Sequence, residues 1–241
     1  KKGMCWNNIF SQDVEIEKSF IRWYFEKEID LQCLTYGNSE CADIEAITDR
    51  LIEILLKYSL EEIVEIIASS DNLENVSKDN IPQYSDLNDA FFEVNRILVD
   101  SDASMSFEDL GYYLGELHDN MKEGLVAQKK YGENHAKLAA LLDLACINKN
   151  GNKSHIYTSV LGRKFYLLDE DDKKDLIKKL CLRIPIIQSV FKTGSVSAIY
   201  EEIKILSPST QNRRRSNVES VLRSILVDNP ELSAKIEHDC E

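Results

Sequence analysis

The sequence predicts a mainly α-helical protein, and three observations carry the prediction. Glycine and proline are sparse, with 9 and 4 in 241 residues, and most of the chain falls into amphipathic runs at helical spacing. A hydrophobic fraction of 43% beside 29% charged residues is ordinary for a chain with a packed core. In the second half, two short apolar segments flank an Asn-Gly-Asn turn after several helical runs. That order predicts a helical N-terminal domain followed by a winged helix-turn-helix, in which a β-hairpin forms the wing.

The charge is divided unevenly along the chain. Residues 1–102 hold 9 Lys and Arg against 22 Asp and Glu, whereas residues 103–241 hold 20 of each. Within the second half, residues 120–227 carry 19 basic and 11 acidic side chains. We therefore expect a basic part that meets phosphates and an acidic part that phosphates would repel. The polar break 100–104 places the boundary of the acidic domain, 1–102.

The composition limits the cellular setting and the chemistry. No apolar run of about 18 residues is present, and the N-terminus lacks the pattern of a signal peptide, so we expect a cytoplasmic protein with no membrane partner. The six cysteines form no C-x-x-C pair and no His lies at zinc-ligand spacing. Free, mostly buried thiols and no cofactor are the expectation.

In the acidic part, an aromatic-rich helix is predicted over about 13–34, followed by a turn at 36–39. The run 42–69 has apolar residues at helical spacing, and Ser59 followed by Glu62 matches a capping box, which predicts two helices meeting near Tyr58-Ser59. A loop over 69–86 and a helix over 86–100 complete this part. Its acidic residues are either a solvated face or a docking surface for a basic protein partner.

The winged helix begins where Ser106 caps a helix. A second helix is predicted over about 120–129, and the candidate recognition helix is 132–146. Its inward positions are Leu138, Leu141, Leu142 and Ala145. Three polar side chains then lie on or near the outward side: Lys130, Asn134 and Lys137. His135 is assigned to neither the inward nor the outward side.

Asparagine can bind adenine edges and lysine can bind guanine or phosphate in a major groove. A solvated helix would carry the same residue types, and that alternative stays open.

The predicted wing consists of strands at Ile147 and at 156–161 around residues 148–154. Lys149 and Lys153 lie in the tip, where a basic hairpin would approach backbone phosphates. An ordinary surface hairpin is the alternative. Arg163 and Lys164, directly after the second strand, are further candidate DNA contacts.

The segments Tyr131-Gly132-Glu133-Asn134-His135-Ala136-Lys137-Leu138, Tyr157-Thr158 and Leu161-Gly162-Arg163-Lys164-Phe165 precede a charged helix, 171–182, that ends at Ile184-Pro185-Ile186. This order resembles winged-helix domains appended to bacterial restriction endonucleases and other phage-defence proteins. There, a wing strand of the pattern leucine, threonine, x, x, glycine is followed by a helix that ends near a proline. Here the threonine, Thr158, stands four residues before Gly162. The resemblance covers roughly residues 103–227.

The resemblance extends to a second, abbreviated winged-helix-like unit, which gives the domains 103–191 and 192–241. Its helices would be 186–191, 196–205 and 209–226, with Ser207-Pro208-Ser209-Thr210 as the turn before the third. Related defence proteins have a similar Ser/Thr followed by paired arginines. Arg213, Arg214 and Arg215 are therefore candidate DNA contacts, since arginine suits phosphate and guanine. At least two of the three should be exposed; the alternative is pairing with acidic surfaces of the chain.

An enzymatic function is not expected. The only formal candidates for the acidic and Glu-x-Lys motif of restriction nucleases are Glu15-Ile16-Glu17-Lys18 and Glu202-Ile203-Lys204. Both lie in helical patterns, and no phosphate loop or nucleophile elbow is present. We expect a non-catalytic protein that binds double-stranded DNA, as an accessory subunit of an anti-phage defence or restriction system. The alternatives are a structural adaptor in a chromosome-maintenance-like ATPase complex and a non-catalytic fragment of a restriction endonuclease.

Overall fold

A computed structural model of the chain describes residues 10–27, 42–87, 89–150 and 153–236. Helices dominate these residues, and the strands form one small antiparallel sheet, which confirms the mainly α prediction. The helices are α1 Val14–Phe25, α2 Ala42–Lys57, α3 Leu60–Ala68, α4 Asp89–Ser101, α5 Phe107–Leu117, α6 Leu125–Leu141, α7 Val160–Tyr166, α8 Glu170–Cys181, α9 Pro185–Thr193, α10 Ser197–Glu202, α11 Pro208–Leu226 and α12 Pro230–Ala234. The strands are β1 Met105–Ser106, β2 Ala145–Asn150 and β3 Lys153–Thr158.

The first helices follow their sequence signals. Asp13 caps α1 by accepting from the backbone N–H groups of Glu15 and Ile16. Ser59 accepts from the N–H of Glu62 while the Glu62 carboxylate accepts from the N–H of Ser59, so the predicted capping box and the break between α2 and α3 are confirmed. The predicted loop after α3 is also present. The end of the predicted helix 13–34 and the turn at 36–39 lie outside the described residues.

The prediction of two helices over 120–129 and 132–146 is wrong, because α6 is one helix. It begins after Gly124, which has the left-handed φ of 83°. Nothing between the two predicted segments breaks the helix. Gly132 lies within α6 where the backbone of α5 comes close, and a Cβ there would collide with the carbonyl oxygen of Phe107. The helix ends at Leu141 because Asp143 turns to a φ of 58° and Ala145 starts β2.

The predicted hairpin is confirmed, but its second strand lies three residues earlier than predicted, at 153–158 and not 156–161. The sheet order is β1-β3-β2, and Ile156 on β3 pairs with Met105 on one side and Ile147 on the other. The strand stops at Thr158 because Ser159 caps α7: its hydroxyl accepts from the N–H of Gly162 at 2.8 Å and donates to the Asp143 carbonyl at 2.6 Å. Gly162 is thus helical. Residues 151–152 at the tip lie outside the described residues.

One hydrophobic cluster extends from Phe20 to Ile236 through the described residues. Buried cations join distant parts of it. Arg183 pairs with Asp143 at 2.6 Å and lies 4.3 Å above the Tyr24 ring, and Lys179 donates to the Leu55 carbonyl at 2.7 Å. Helix α4, before the predicted boundary at 102, packs on α5, α6 and α7. Division into separate domains at 102 and 191 stays a prediction.

Two cysteines among the described residues, Cys146 and Cys181, are buried, as expected. Over the same residues, no helix combines the length and the apolar character needed to cross a membrane.

Candidate nucleic-acid interface

The candidate DNA contacts are distributed over separate surfaces of the fold. Lys130, Asn134 and Lys137 lie on α6, Lys149 and Lys153 on the hairpin, Arg163 and Lys164 on α7, and Arg213, Arg214 and Arg215 on α11. They differ in exposure and in partners, and those differences decide which of them a DNA phosphate or base could reach.

The basic residues of α6 are paired within the helix. Glu133 lies 3.0 Å from the Lys130 ammonium and 2.6 Å from the Lys137 ammonium. Burial alone would raise the pKa of the Glu133 carboxyl, but hydrogen bonds and charge from the two lysines outweigh it and hold that pKa below its usual range. Much of the positive charge predicted for the recognition helix is therefore neutralised locally.

The outward side of α6 is also covered by the loop that follows α3. With the Gln83 amide oriented so that each group meets a complementary partner, its NH₂ donates to the Asn134 side-chain oxygen at 3.2 Å. Its carbonyl oxygen accepts from the Lys137 ammonium at 3.3 Å and from Arg214 at 3.1 Å. Asn134 and Lys137 are half-buried. Gln83 therefore binds the side-chain groups of Asn134 and Lys137 that α6 would need to contact DNA bases.

His135 is in the core of this contact. It is 1% exposed, its ring lies 3.9 Å from the Tyr84 ring, and Nδ1 is 2.8 Å from the Tyr131 carbonyl oxygen, to which it donates when protonated there. Nε2 is buried with no hydrogen-bond partner among the described residues. Burial lowers the pKa of His135 to about 4, so the ring is neutral at physiological pH. Its role is packing.

The two faces of the hairpin point in different directions. Lys149 pairs across the strands with Ser154 and faces an open cleft of about 570 Å³ beside Lys137. Arg163 is exposed on the other side, in a polar depression that it shares with Asn148 and His155. The side chain of Lys153 lies outside the described residues.

Lys164 does not belong to the hairpin surface. Its ammonium lies 2.7 Å from an Asp49 carboxylate oxygen on α2, and 20% of the side chain is exposed. This ion pair links α7 to α2 in the acidic N-terminal part of the chain.

The three arginines of α11 have different environments. Arg213 is exposed, and it makes no ion pair with any described residue. Arg215 lies 3.6 Å from Glu219, with its guanidinium carbon 5.1 Å from the centre of the Tyr200 ring.

Arg214, in contrast, is only 7% exposed and donates to the Ile81 carbonyl at 2.7 Å. Burial, and then the neighbouring charge of Arg213, lowers the pKa of its guanidinium. Its assignment as a DNA contact is corrected, because the side chain is an internal anchor between α11 and the loop after α3.

Helix α11 presents a continuous polar face that the sequence analysis did not single out. Its exposed residues recur at intervals of three, four and seven, so they line one side of the helix; they are Ser209, Asn212, Arg213, Ser216 and Arg223. None is acidic. The opposite side is buried through Val218, Val221, Leu222 and Ile225. The spacing of the small polar residues was the signal that could have identified this face.

The start of α11 is held in position by the segment before it. The short α10 leads into a 3₁₀ turn, Ile203–Ile205, and a tight bend at Leu206-Ser207. Leu206 is buried and its carbonyl accepts from the Gln211 side chain at 2.9 Å. Helices α9, α10 and α11 pack on one another. This arrangement is a helix, a short helix and a turn that place the first turns of the longest helix at the surface.

No group of three or more His, Cys, Asp and Glu side chains able to hold a metal ion occurs among residues 10–27, 42–87, 89–150 and 153–236. In comparisons with known proteins, no protein-family model, no curated protein and no solved structure matches the chain.

Proposed function

We propose that this protein binds double-stranded DNA without catalysing a reaction on it, and that α11 makes the principal contact. The observation that carries the proposal is the exposed polar face of α11. That helix contains four arginines and one acidic residue in a chain of net charge −13. A cationic face without carboxylates is what a phosphate backbone attracts.

The packing of α9, α10 and α11 supports a helix-turn-helix in which α11 is the recognition helix. In such motifs the second helix enters the major groove, and residues near its N-terminus contact base edges while the preceding helix crosses the backbone. Asn212 and Arg213 occupy that part of α11. Asparagine and arginine are the side chains that bind adenine and guanine through two hydrogen bonds.

A second unit of the same class is supported by the order α4, β1, α5, α6, β2, β3 with sheet order β1-β3-β2. We propose that residues 89–158 form a winged helix in place of the predicted 103–191, with α4, which packs on α5 and α6, as its first helix. Its recognition helix, α6, is engaged by Gln83, so the phosphate contacts would come from Lys149 of this unit and from Arg163, which follows it on α7.

The proposed biological setting is an anti-phage defence or restriction system, with the chain as an accessory subunit. It rests on the resemblance of residues 103–227 to winged-helix domains of such systems, in particular on Ser209-Thr210 followed by adjacent arginines.

The experiment is binding of labelled duplex DNA to the full chain, followed by fluorescence anisotropy across a salt series. Affinity should fall steeply with salt, and Arg213→Ala should reduce the slope of log K against log salt by about one. Asn212→Ala should change the preference among sequences more than the affinity for random DNA. Lys18→Ala, at an exposed cation on α1, is the matched control and should leave both unchanged. If Arg213→Ala and Lys18→Ala behave alike, α11 is not the DNA contact.

The second candidate function, a structural adaptor that holds a protein partner, is favoured by a different observation. Large apolar side chains are exposed together at the junction of α5 and α6.

A further inference from the structure

The exposed apolar side chains of the protein are concentrated at one place. Six of the twelve exposed large hydrophobic residues found among the described residues lie between positions 112 and 126. We call them the α5–α6 patch: Tyr112, Tyr113, Leu117, Met121, Leu125 and Val126. Val126 is 85% exposed and Leu125 69%. Single exposed apolar residues are ordinary, but a contiguous group marks a surface that binds something.

Contacts link several members of the patch: the Tyr112 and Tyr113 rings are 5.9 Å apart, and Met121 packs near Gly115 on α5. Leu110, Gly111, Leu114 and Gly115 of α5 are buried, with Gly111 against the Gln128 backbone of α6, whereas the two tyrosines and Leu117 are exposed. The Met121 sulfur would lie 3.1 Å from a Cβ at Gly115, so Met121 rests against α5 and joins its outer side to the start of α6. Tyr113 and Leu117 also line an open groove of about 690 Å³ beside α4, which is large enough for an anchoring side chain.

Acidic residues outnumber basic residues around the patch, although the exposed Arg96 of α4 also lines the groove. Residues 107–128 contain five Asp and Glu, and all five are exposed: Glu108, Asp109, Glu116, Asp119 and Glu123. The one lysine in this range, Lys122, lies 4.9 Å from the centre of the Tyr131 ring and is half-buried. Lys129 and Lys130 follow one turn after Val126, and Lys130 is paired with Glu133. The rim on α5 and on the segment before α6 is therefore negative.

The charge decides between occupants. DNA and anionic lipid would be repelled by the carboxylates. A twofold contact with a second copy would bring the same acidic rim against itself. A helical segment with apolar residues on one side and lysine or arginine on the other would satisfy both the patch and the rim. Tyrosine, methionine and leucine suit an apolar helix face laid into a groove.

We propose that the α5–α6 patch is the docking surface for a cationic amphipathic helix of a protein partner. It lies on elements other than α11, so the proposal does not rest on DNA binding. A partner held here leaves α11 exposed.

The test uses the full chain and two designed helical peptides with the same leucine face, one with lysine and one with glutamate on the other face. Titrations followed by fluorescence anisotropy should show the lysine peptide binding at least ten-fold more tightly than the glutamate peptide. Leu125→Ser with Val126→Ser should weaken the lysine peptide at least ten-fold. The matched control is Leu167→Ser with Val227→Ser, at residues 80% and 69% exposed elsewhere, and it should bind like the wild type.

A second variant keeps the apolar surface and changes only the rim. Glu108→Lys with Glu123→Lys should weaken the lysine peptide and strengthen the glutamate peptide, and it covers the case in which the serine variant does not fold. Equal binding of both peptides, or equal loss in the patch variant and its control, would overturn the proposal. So would a wild-type dimer, seen by sedimentation, that becomes a monomer in the patch variant, because the occupant would then be a second copy.

Discussion

Replacing Arg214 with alanine should destabilise the fold, whereas replacing its neighbour Arg213 should not. Arg214 is 7% exposed, donates to the Ile81 carbonyl at 2.7 Å and reaches the Gln83 side chain at 3.1 Å. Truncation leaves the buried carbonyl without its partner, which costs roughly 1–3 kcal/mol. Loss of the packed aliphatic stem adds about 1 kcal/mol. The free energy of unfolding should therefore fall by about 2–4 kcal/mol.

Arg213→Ala removes an exposed side chain, and such changes stay within about 0.5 kcal/mol. For a chain of this length, each kcal/mol lowers Tm by roughly 2–4 °C, so Arg214→Ala should lower Tm by about 4–16 °C. Arg214→Lys should fall between the two, since an ammonium lacks the planar fork that reaches Ile81 and Gln83 together.

Thermal unfolding followed by circular dichroism measures these shifts, and urea titration supplies the free energies. DNA affinity of the same variants, measured below their Tm, separates the two roles: Arg213→Ala should bind DNA more weakly at unchanged Tm. If Arg214→Ala instead unfolds like the wild type and loses DNA affinity, Arg214 is a surface contact and its anchoring role is wrong.

Three further predictions concern stability. Burial lowers the pKa of His135 to about 4, below the value of about 6.5 in an unfolded chain. The contribution of neutral His135 to stability is therefore complete above about pH 6.5 and is lost as the pH falls towards 4. By pH 5 the free energy of unfolding should have fallen by on the order of 2 kcal/mol. His135→Phe should flatten the acid side of the unfolding free energy against pH, and an unchanged slope would contradict the assignment. Gly132→Ala should lower Tm strongly because the backbone of α5 occupies the space that the new Cβ would need. Gly115→Ala should lower Tm little, because the new Cβ meets the flexible side chain of Met121. Equal shifts of Tm in differential scanning calorimetry would contradict this. Ser59→Ala should cost about 1 kcal/mol in a urea titration through loss of the capping box, with Ser19→Ala, in the exposed part of α1, as the control.

Local signals in the sequence predicted the elements well where a short segment decides the structure. The capping residues Ser59 and Ser106, the hairpin and the helices after residue 170 depend on neighbours within a few positions, and they were confirmed. The single helix α6 was missed, since two helices, 120–129 and 132–146, were predicted in its place. Gly132 is tolerated there for a non-local reason, the approach of Phe107 on α5.

The candidate site was less predictable than the fold because it depends on contacts between residues that are far apart in the sequence. Three adjacent arginines look alike in sequence, yet their exposure depends on what packs against α11. The acceptor of Arg214 lies 133 positions away, at Ile81, and the partners of Asn134 and Lys137 lie in the same loop. Helical periodicity could have indicated that Arg213 shares a face with Asn212 and Ser216, since that relation is local.

Contacts of residues 81–83 determine which sides of α6 and α11 are covered and which stay exposed. Ile81 and Gln83 bind Arg214 from α11, while Gln83 also binds Asn134 and Lys137 from α6. The same short segment therefore engages the polar side of α6 and fixes α11 with its other side outward. With the polar side of α6 engaged in this way, the hairpin and the α5–α6 junction remain exposed in this part of the fold. The hairpin retains the exposed Lys149, with Arg163 of α7 nearby, and the junction is acidic and apolar, so the two surfaces would suit opposite ligands, a phosphate backbone and a cationic helix.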